Sequence, residues 1–580
     1  MQLLQHFKEL TLRPKNAQEL KGLIIRLALR GNLTEKWRKE NLQILHASEL
    51  LEDIQDEKAQ LIEKRKLRVK KISEIKVIQD MKYAIPKSWA WYNFSDVAFF
   101  QEGPGIRKWQ YRETGVKLLN VRNIVGDNLI LDNTTLHVER EEFEQKYEHF
   151  KVEEGDLLFA SSGGSWGKSA WFTDPGYDVM LNTSMVRMCF YGHDWYPQYL
   201  KTFISSGFFV DQMSEQLVGI QPNFGSTHLS RIYIPIPPLE EQKEIVKVVE
   251  TLFKEVEQLE QLTVARIGLK EDYVTSALQQ LTANNTNQDW TNLQDHFKSF
   301  FNETTNIKKL RETILQLAVQ GKLTADWRSS HPELVEGTHH ASNLLKRIQE
   351  EKAQLIADKK IKKVKALPPI TEDEIPYELP EGWVWCRLRE SGFTQTGSTP
   401  PKRNPENYGD FIPFIGPADI SNHSMEYPVS GLSELGISVG RLIPKDSVMM
   451  VCIGGSIGKC NINDIDVSCN QQINTISPVL IPSVYIKVIC QSPYFQKCVI
   501  DKASGSATPI INKGKWETLP IPLPPLEEQK AIVEKVNALM ALCDVLEQEV
   551  QQSQQHSEMM MQSVLKEVFE GGKEVVVDKE

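Results

Sequence analysis

"IPIPPLEEQKEIV" (residues 234–246) is written a second time in the chain as "IPLPPLEEQKAIV" (521–533). In both stretches a Pro-Pro pair is followed within two residues by a pair of glutamates. This order is typical of a helix N-terminus, because proline fits the first turn and the helix dipole favours acidic side chains there. We therefore predict that two long helices begin at equivalent points of a duplicated architecture.

Other stretches of the sequence are repeated in the same order. The matching pairs are "LIIRLALRGNLTEKWR" (23–38) with "TILQLAVQGKLTADWR" (313–328), "ASELLEDIQDEKAQLIEKRK" (47–66) with "ASNLLKRIQEEKAQLIADKK" (341–360), and "IPKSWAWYNF" (85–94) with "LPEGWVWCRL" (379–388). The chain is thus predicted to consist of two copies, 1–290 and 291–580, each running from helix through a globular domain to helix.

Apolar residues after each repeated Pro-Pro motif step by four and three, the heptad spacing of a coiled coil. They are Ile245, Val249, Leu252, Val256 and Leu259 in the first copy, and Ile532, Val536, Leu539, Cys543, Leu546 and Val550 in the second. Two interpretations are open: the helices pack on each other and hold the domains apart, or each lies on the core of its own domain.

The segments between the predicted helices differ from them in amino-acid composition. They are rich in Gly, Pro, Asn, β-branched and aromatic residues, and their short apolar runs are separated by turn signals, which predicts mixed α/β domains with much strand. The predicted regions are an N-terminal helical region 1–84, a first domain 85–235, a central helical region 236–378, a second domain 379–523 and a C-terminal helix 524–580.

Length, charge and cysteine usage limit the class of protein. A chain of 580 residues is long enough for several cores, and a formal net charge of −10 means that a DNA role would rest on local basic surfaces or on partners. The eight cysteines form no C-x-x-C pair, which favours reduced core thiols over a zinc site. The N-terminal residues lack the apolar stretch of a signal peptide, so we expect a cytoplasmic protein without a membrane span.

A Gly-rich stretch, "SSGGSWGKS" (161–169), ends like a phosphate-binding P-loop. A P-loop has a glycine five places before its Gly-Lys-Ser/Thr, but that position is Ser162 here, and the second copy "GGSIGKC" (454–460) has Cys460 where the metal-binding hydroxyl belongs. The flanking residues predict two strands joined by a Gly-rich hairpin, whereas a P-loop opens a helix. A P-loop NTPase with coiled-coil arms is one interpretation to be weighed, and a coiled-coil interaction scaffold is another.

The two Pro-Pro-Leu-Glu-Glu-Gln motifs, together with "GNLTEKWR" (31–38) and "QGKLTADWR" (320–328), resemble the specificity subunit of type I restriction-modification systems, and the resemblance covers essentially the full length. It implies an α/β (α+β) fold in which two target-recognition domains, separated by long antiparallel coiled-coil helices, each read one half of a split DNA sequence. It also implies two methyltransferase (modification) subunits and restriction motor-nuclease subunits as partners. S-adenosylmethionine, ATP and Mg are then expected in those partners, and no cofactor in this non-catalytic chain.

Residues 103–124 carry five basic side chains and are locally positive in an acidic chain, which favours contact with DNA phosphates; a merely solvated basic face is the alternative interpretation. The candidates are Arg107, Lys108, Arg112, Lys117, Arg122 and Lys168 in the first domain, and Lys402, Arg403, Lys459, Lys502, Lys513 and Lys515 in the second. Asn404 and Asn470 are candidates for hydrogen bonds to base edges, because amides can donate to and accept from a base. Lys168 and Lys459 lie in the paired Gly-rich stretches, where the backbone can approach phosphate closely.

Overall fold

The structure is a computed structural model that describes residues 14–43, 46–47, 54, 56, 58–60, 84–161, 167–191, 195–216, 225–284, 295–334, 339–361, 364–505 and 508–570. The chain divides into two compact units, residues 1–265 with 561–580 and residues 266–560. Much of the predicted helical region 1–84 lies outside the described residues, as does 162–166 of the first Gly-rich stretch.

The first unit contains the helices of the first copy and the beginning of a long helix. The helices are α1 (Pro14–Leu29), α2 (Glu35–Glu40), α3 (Phe94–Val97), α4 (Arg140–Glu142), α5 (Pro197–Ile204), α6 (Gly207–Ser214), α7 (Ser226–Leu229) and α8 (Leu239–Asn284). The strands are β1 (Ala90–Asn93), β2 (Ala98–Glu102), β3 (Tyr111–Arg112), β4 (Val116–Leu119), β5 (Ile124–Val125), β6 (Asn128–Leu129), β7 (His137–Val138), β8 (Leu157–Ala160), β9 (Ser169–Trp171), β10 (Val179–Leu181), β11 (Met185–Phe190) and β12 (Tyr233–Ile236).

These strands form two four-stranded sheets and two short pairs. One sheet has the order β2-β11-β8-β9 with antiparallel neighbours, and the other has the order β10-β4-β7-β3, in which β10 and β4 are parallel. β5 and β6 form a hairpin. β1 pairs antiparallel with β12, so the strand that enters the domain lies beside the strand that leaves it for α8.

The second unit repeats this plan and contains the end of α8. Its helices are α9 (Phe297–Phe300), α10 (Thr304–Val319), α11 (Ala325–Ser330), α12 (Ala341–Ala357), α13 (Glu434–Val439), α14 (Ser483–Gln491), α15 (Pro493–Lys502), α16 (Lys513–Trp516) and α17 (Leu526–Glu570). Its strands are β13 (Val384–Arg387), β14 (Gly392–Thr396), β15 (Tyr408–Gly409), β16 (Ile412–Ile415), β17 (Gly431–Leu432), β18 (Val448–Val451), β19 (Cys460–Ile462), β20 (Ser468–Cys469), β21 (Ile473–Pro478) and β22 (Pro520–Leu523).

The two four-stranded sheets and one two-stranded pair of the second unit match those of the first, whereas the β5–β6 hairpin has no counterpart among the described strands of the second unit. Their orders are β14-β21-β18-β19 and β15-β17-β16-β20, with a parallel pair between β16 and β20, and β13 pairs with β22. The repeat in the sequence is therefore a repeat in topology, and the prediction of mixed α/β domains is confirmed.

The central strands are apolar along their whole length because each face is buried in a different core. In β8, Leu157 and Phe159 face the core shared with the helices, whereas Leu158 and Ala160 face a second core. β18 alternates in the same way between two cores of its own unit. Side chains of a strand alternate between faces, so a continuous apolar run is what a strand between two cores requires.

The heptad residues of the two long helices are buried within their own units. In the first unit, Ile245, Val249 and Val256 belong to the core that contains the apolar face of α1. In the second, Ile532 and Val536 belong to the core that contains α10. These heptad residues therefore contribute to the core of their own unit.

The second glutamate of each repeated Pro-Pro-Leu-Glu-Glu-Gln motif is the centre of a buried hydrogen-bond network. The carboxylate of Glu528 is fully buried and accepts hydrogen bonds from Thr324 Oγ1 at 2.7 Å, from Trp383 Nε1 at 2.7 Å and from the Arg328 guanidinium. Arg328 also donates to the carbonyl of Gly321 at 2.6 Å. One carboxylate thus joins the start of α17 to the helical repeat and to the strand that opens the domain.

The first unit contains the same network. Glu241 accepts from Thr34 at 2.7 Å, from Trp89 Nε1 at 2.8 Å and from Arg38, which in turn donates to the Gly31 carbonyl at 2.6 Å. The three repeated motifs, which are far apart in the sequence, are therefore the parts of one structural joint. Trp89 and Trp383 are 4% and 5% exposed, which fits an anchoring role.

Three further expectations concern the cysteines, membrane-spanning helices and metal-binding groups. All eight cysteines are free thiols, and only Cys189 and Cys498 are not fully buried. None of the helices within the described ranges combines the length and the apolar character that a bilayer crossing requires. Groups of three or more side chains able to hold a metal ion do not occur in the part of the chain that the structure describes.

Candidate nucleic-acid interface

Three loops meet at the strand ends of the second unit. They are the basic loop (397–404) after β14, the Asn turn (470–472) between β20 and β21, and the Gly loop (452–459) between β18 and β19. Backbone hydrogen bonds join them: Gly397 N–H donates to the Ile473 carbonyl at 3.0 Å, Ser398 N–H to Cys469 at 2.8 Å, and Cys452 N–H to Gln472 at 2.7 Å. We call this convergence the strand-end junction.

The first unit builds the same junction from its own residues. Its basic loop is 103–108, its Asn turn is 182–184, and its Gly loop is 161–168, of which 162–166 lie outside the description. Gly103 N–H donates to Met185 at 3.0 Å, and Ser161 N–H donates to Ser184 at 2.9 Å. In each unit the asparagine N–H binds the end of the neighbouring strand, Asn182 to Leu119 and Asn470 to Ile415, both at 3.1 Å.

The basic loop approaches the Asn turn so closely that only glycine fits at the point of contact. A Cβ atom at Gly397 would lie 2.0 Å from the Asn470 carbonyl oxygen, and one at Gly103 would lie 2.2 Å from the Asn182 carbonyl oxygen. Both distances are far below a van der Waals contact, so a side chain would separate the loop from the turn.

Gly397→Ala is therefore expected to open the junction of the second unit. We expect the Ser398 and Asn470 amides to exchange hydrogen at least about ten-fold faster, and the unit to lose about 1–3 kcal/mol of stability. Hydrogen exchange followed by mass spectrometry measures both. Gly455→Ala is the matched control, because a Cβ at Gly455 meets nothing within 4 Å. Equal exchange in the two variants would contradict the close-approach argument.

The side chains of the two asparagines shape their own turns. Asn182 Oδ1 accepts from Thr183 N–H at 2.8 Å and from Thr183 Oγ1 at 3.0 Å. Asn470 Oδ1 accepts from Gln472 N–H at 2.9 Å, and its Nδ2 donates to Gln472 Oε1 at 3.2 Å. The oxygen and the nitrogen of the Asn470 side-chain amide both form hydrogen bonds within the turn. Asn470 therefore positions its neighbours.

The candidate cations of the loops differ in exposure and partners. Those at the surface of the basic and Gly loops are Arg107, Lys108, Lys168, Lys402, Arg403 and Lys459, and Asn404 and Arg122 are also exposed. Lys168 and Lys459 are equivalent, because each follows a glycine with a φ of +92° and each accepts a backbone hydrogen bond from the preceding strand. The six loop cations thus lie on the segments that the junction brings together.

Other candidates are engaged by protein groups. Lys117 is 7% exposed and its ammonium donates to the Thr134 carbonyl, because β4 is buried on both faces. Lys513 pairs with the buried Glu517 at 3.0 Å, and Lys515 donates to Ser504 Oγ at 2.7 Å. These contacts give the three lysines a structural role.

Two further candidates form ion pairs. Lys502 lies 3.4 Å from Glu374, whose carboxylate also binds Arg387 at 2.7 Å. The hydrogen bond from Arg387 lowers the pKa of Glu374 to about 2, so this carboxylate is ionised throughout the physiological range and offsets the Lys502 charge. Arg112 lies 3.4 Å from Glu139 but remains exposed.

The Gly loop of the second unit joins two antiparallel strands, with Met450 opposite Cys460. β8 and β9 of the first unit are paired in the same way. The predicted Gly-rich hairpin is therefore confirmed. A P-loop delivers its lysine at the start of a helix, so this geometry does not support the NTPase alternative.

Sequence reasoning missed several residues of the junction. Asn182 and Thr183 are equivalent to Asn470 and Gln471, and the repeat offset was the signal that could have revealed them. Arg441 is exposed and donates to the Thr396 carbonyl, next to the basic loop of the second unit. No pattern in the sequence predicts this contact. Trp109 follows Lys108 and is 73% exposed, an unusual position for a large aromatic side chain.

The chain is similar in sequence to known proteins over most of its length. The chain is 27% identical over 559 residues to the type I restriction enzyme EcoAI specificity subunit of Escherichia coli, covering 91% of this chain and 90% of that protein. It is 26% identical over 568 residues to the EcoEI specificity subunit of the same species, covering 93% and 91%. A solved chain from work on complex assembly and conformational transition of the type I R-M system is 17% identical, with a TM-score of 0.47 and coverage of 85% and 100%.

The sequence model of the type I restriction modification DNA specificity domain matches residues 86–265 and 380–553, one match for each copy. Each match begins four residues before the strand that opens a domain and ends within the long helix that follows the domain. Together the two matches span more than half of the chain, and the chain therefore belongs to the family of type I restriction modification DNA specificity proteins.

Proposed function

We propose that each strand-end junction reads one half of a split double-stranded DNA sequence, in an assembly with methyltransferase and restriction subunits. DNA specificity is the function of the family to which the chain belongs. The observation that carries the finer proposal is the duplication of the junction. Each unit presents the same three loops and the same exposed lysine, as expected if each reads a separate half-site.

The charge distribution supports DNA contact at the junctions. The whole chain carries a formal net charge of −10, so its surface as a whole repels DNA. The basic and Gly loops nevertheless present exposed cations on adjacent segments, such as Arg107 with Lys168 and Arg403 with Lys459. Local cations of this kind can neutralise phosphates and fix the register of a protein on a duplex.

The loop residues suit two different tasks. The long cationic side chains reach phosphates, and Asn404 offers an exposed amide to a base edge. Asn470 holds its turn in place through Gln472. Trp109, which is 73% exposed, adds an apolar contact to the DNA in the first unit.

The chemistry of the assembly is assigned to partners. In this proposal two methyltransferase subunits bind S-adenosylmethionine and modify the target base, while restriction subunits use ATP and Mg for cleavage. The present chain supplies no catalytic residue and fixes where those subunits act. The assembly is proposed to act in the cytoplasm, where it protects the cell against incoming phage DNA.

Selection from a random duplex library tests the proposal. The full chain, purified with the methyltransferase subunit produced beside it, is incubated with the library in about 0.15 M salt, and bound DNA is sequenced. We expect enrichment of two short half-sites at a constant spacing. Retention of DNA without any enriched sequence, or of a single continuous motif, would contradict reading by two units.

A further inference from the structure

The tips of the two Asn turns carry different side chains on the same backbone. Thr183 and Gln471 occupy equivalent places between the asparagine and the residue whose carbonyl accepts from the Gly loop. Both side chains are exposed. The backbone hydrogen bonds that hold the two turns match between the units, so these bonds do not require either side chain at this position.

Each tip residue also meets its own basic loop. A Cβ at Gly105 would lie 4.0 Å from Thr183 Cγ2, and in the second unit Thr399 Oγ1 donates to Gln471 Oε1. Gly105 and Thr399 lie two residues after the close-approach glycines Gly103 and Gly397. The tip and the basic loop therefore form a pair, Gly with Thr in one unit and Thr with Gln in the other.

We propose that Thr183 and Gln471 are specificity-determining residues, each selecting a base pair in the half-site read by its own unit. This inference rests on the proposed function. The lysines of the Gly loops cannot distinguish one half-site from the other, because Lys168 and Lys459 are the same residue type. The asparagines cannot distinguish them either, because both positions hold asparagine and its amide is engaged in the turn.

The chemistry of the two side chains suits different base edges. A glutamine amide donates and accepts, which matches the paired acceptor and donor of adenine in the major groove. The hydrogen bond from Thr399 fixes the orientation of the Gln471 amide, so the donor and acceptor are presented in one arrangement. The hydroxyl of Thr183 donates to Asn182 Oδ1, and its methyl group can contact the methyl of thymine. An adenine is therefore the expected target of Gln471.

Reciprocal substitution tests the inference. The variants Thr183→Gln and Gln471→Thr are produced in the full chain with its methyltransferase subunit, and methylated sites are mapped across the genome of the host. Thr173→Gln, at an exposed threonine of the first unit outside the junction, is the matched control. In each variant the other unit is unchanged, so the half-site read by that other unit reports whether the protein is folded and assembled.

We expect Thr183→Gln to change the preference at one base pair of one half-site by about ten-fold or more, and Gln471→Thr to do so in the other half-site only. The spacing and the remaining positions stay as in the wild type, and the control leaves the motif unchanged. Unchanged motifs in both variants would overturn the inference, and so would a uniform loss of methylation without a new preference. Absence of a split motif with the wild-type chain would refute the proposed function itself, and the inference with it.

Discussion

Glu528→Ala is expected to destabilise the second unit by about 3–5 kcal/mol. The carboxylate is fully buried and accepts from a hydroxyl, an indole N–H and a guanidinium. Its removal leaves Arg328, whose side chain is 16% exposed, without its counter-charge, and leaves Thr324 and Trp383 without their acceptor. Breaking a buried ion pair by removing one partner costs more than the pair contributes, because the remaining charge stays desolvated.

The neighbouring glutamate supplies the control for this prediction. Glu527 is the first acid of the same motif, but it is 45% exposed and pairs with Lys530 at the surface. Glu527→Ala is expected to cost less than about 1 kcal/mol. Urea denaturation of the full chain, with hydrogen exchange at β13 and β22 as the local probe, separates the two variants. Equal effects of the two substitutions would contradict the role of the buried network.

Replacement of Arg107, Lys108 and Lys168 together by alanine is expected to weaken DNA binding about 100-fold at 0.15 M salt. Each phosphate contact contributes nearly one unit to the slope of log affinity against log salt, so the slope should fall by about 3. The preferred sequence should stay the same, because phosphate contacts carry no direct sequence information. Titration of a duplex at several salt concentrations measures the affinity and the slope.

A control with equal loss of charge distinguishes local contact from a general electrostatic effect. Arg140, Lys146 and Lys151 belong to the same unit, are exposed, and form ion pairs with Asp178 or Glu142. Their joint replacement by alanine removes three positive charges away from the loops of the junction. We expect a change in slope of less than about 1. A slope that falls equally in both triple variants would contradict contact at the junction.

The architecture was predictable because the decisive residues recur in the sequence. The repeated motifs indicated two equivalent copies, and the Gly-rich stretches indicated hairpins, as the antiparallel pairs β8–β9 and β18–β19 confirm. The buried network around Glu241 could not be predicted, because its members come from stretches as far apart as Thr34 and Glu241. Such a meeting depends on tertiary packing, which the repetition of the three stretches does not specify.

The candidate DNA-contacting residues were predicted less completely than the fold, because several of them form contacts within the protein. Lys117 was a candidate as one of the basic residues of the first domain, but pairing of β4 with both β7 and β10 buries it. Lys502 meets a carboxylate 128 positions away, which no local pattern signals. Lys513 and Glu517 are four residues apart in the chain, and that pair was within reach of sequence reasoning. The meeting of the three loops follows from strand pairing alone.

The most direct test of the central claim is a genome-wide map of methylated bases in cells that carry this chain with its methyltransferase subunit, compared with cells that lack only this chain. We predict a split motif of two short half-sites at one constant spacing, present in the first cells and absent from the second. The same methylated sites in both, with the methyltransferase subunit active, would contradict the claim that this chain selects the DNA sequence.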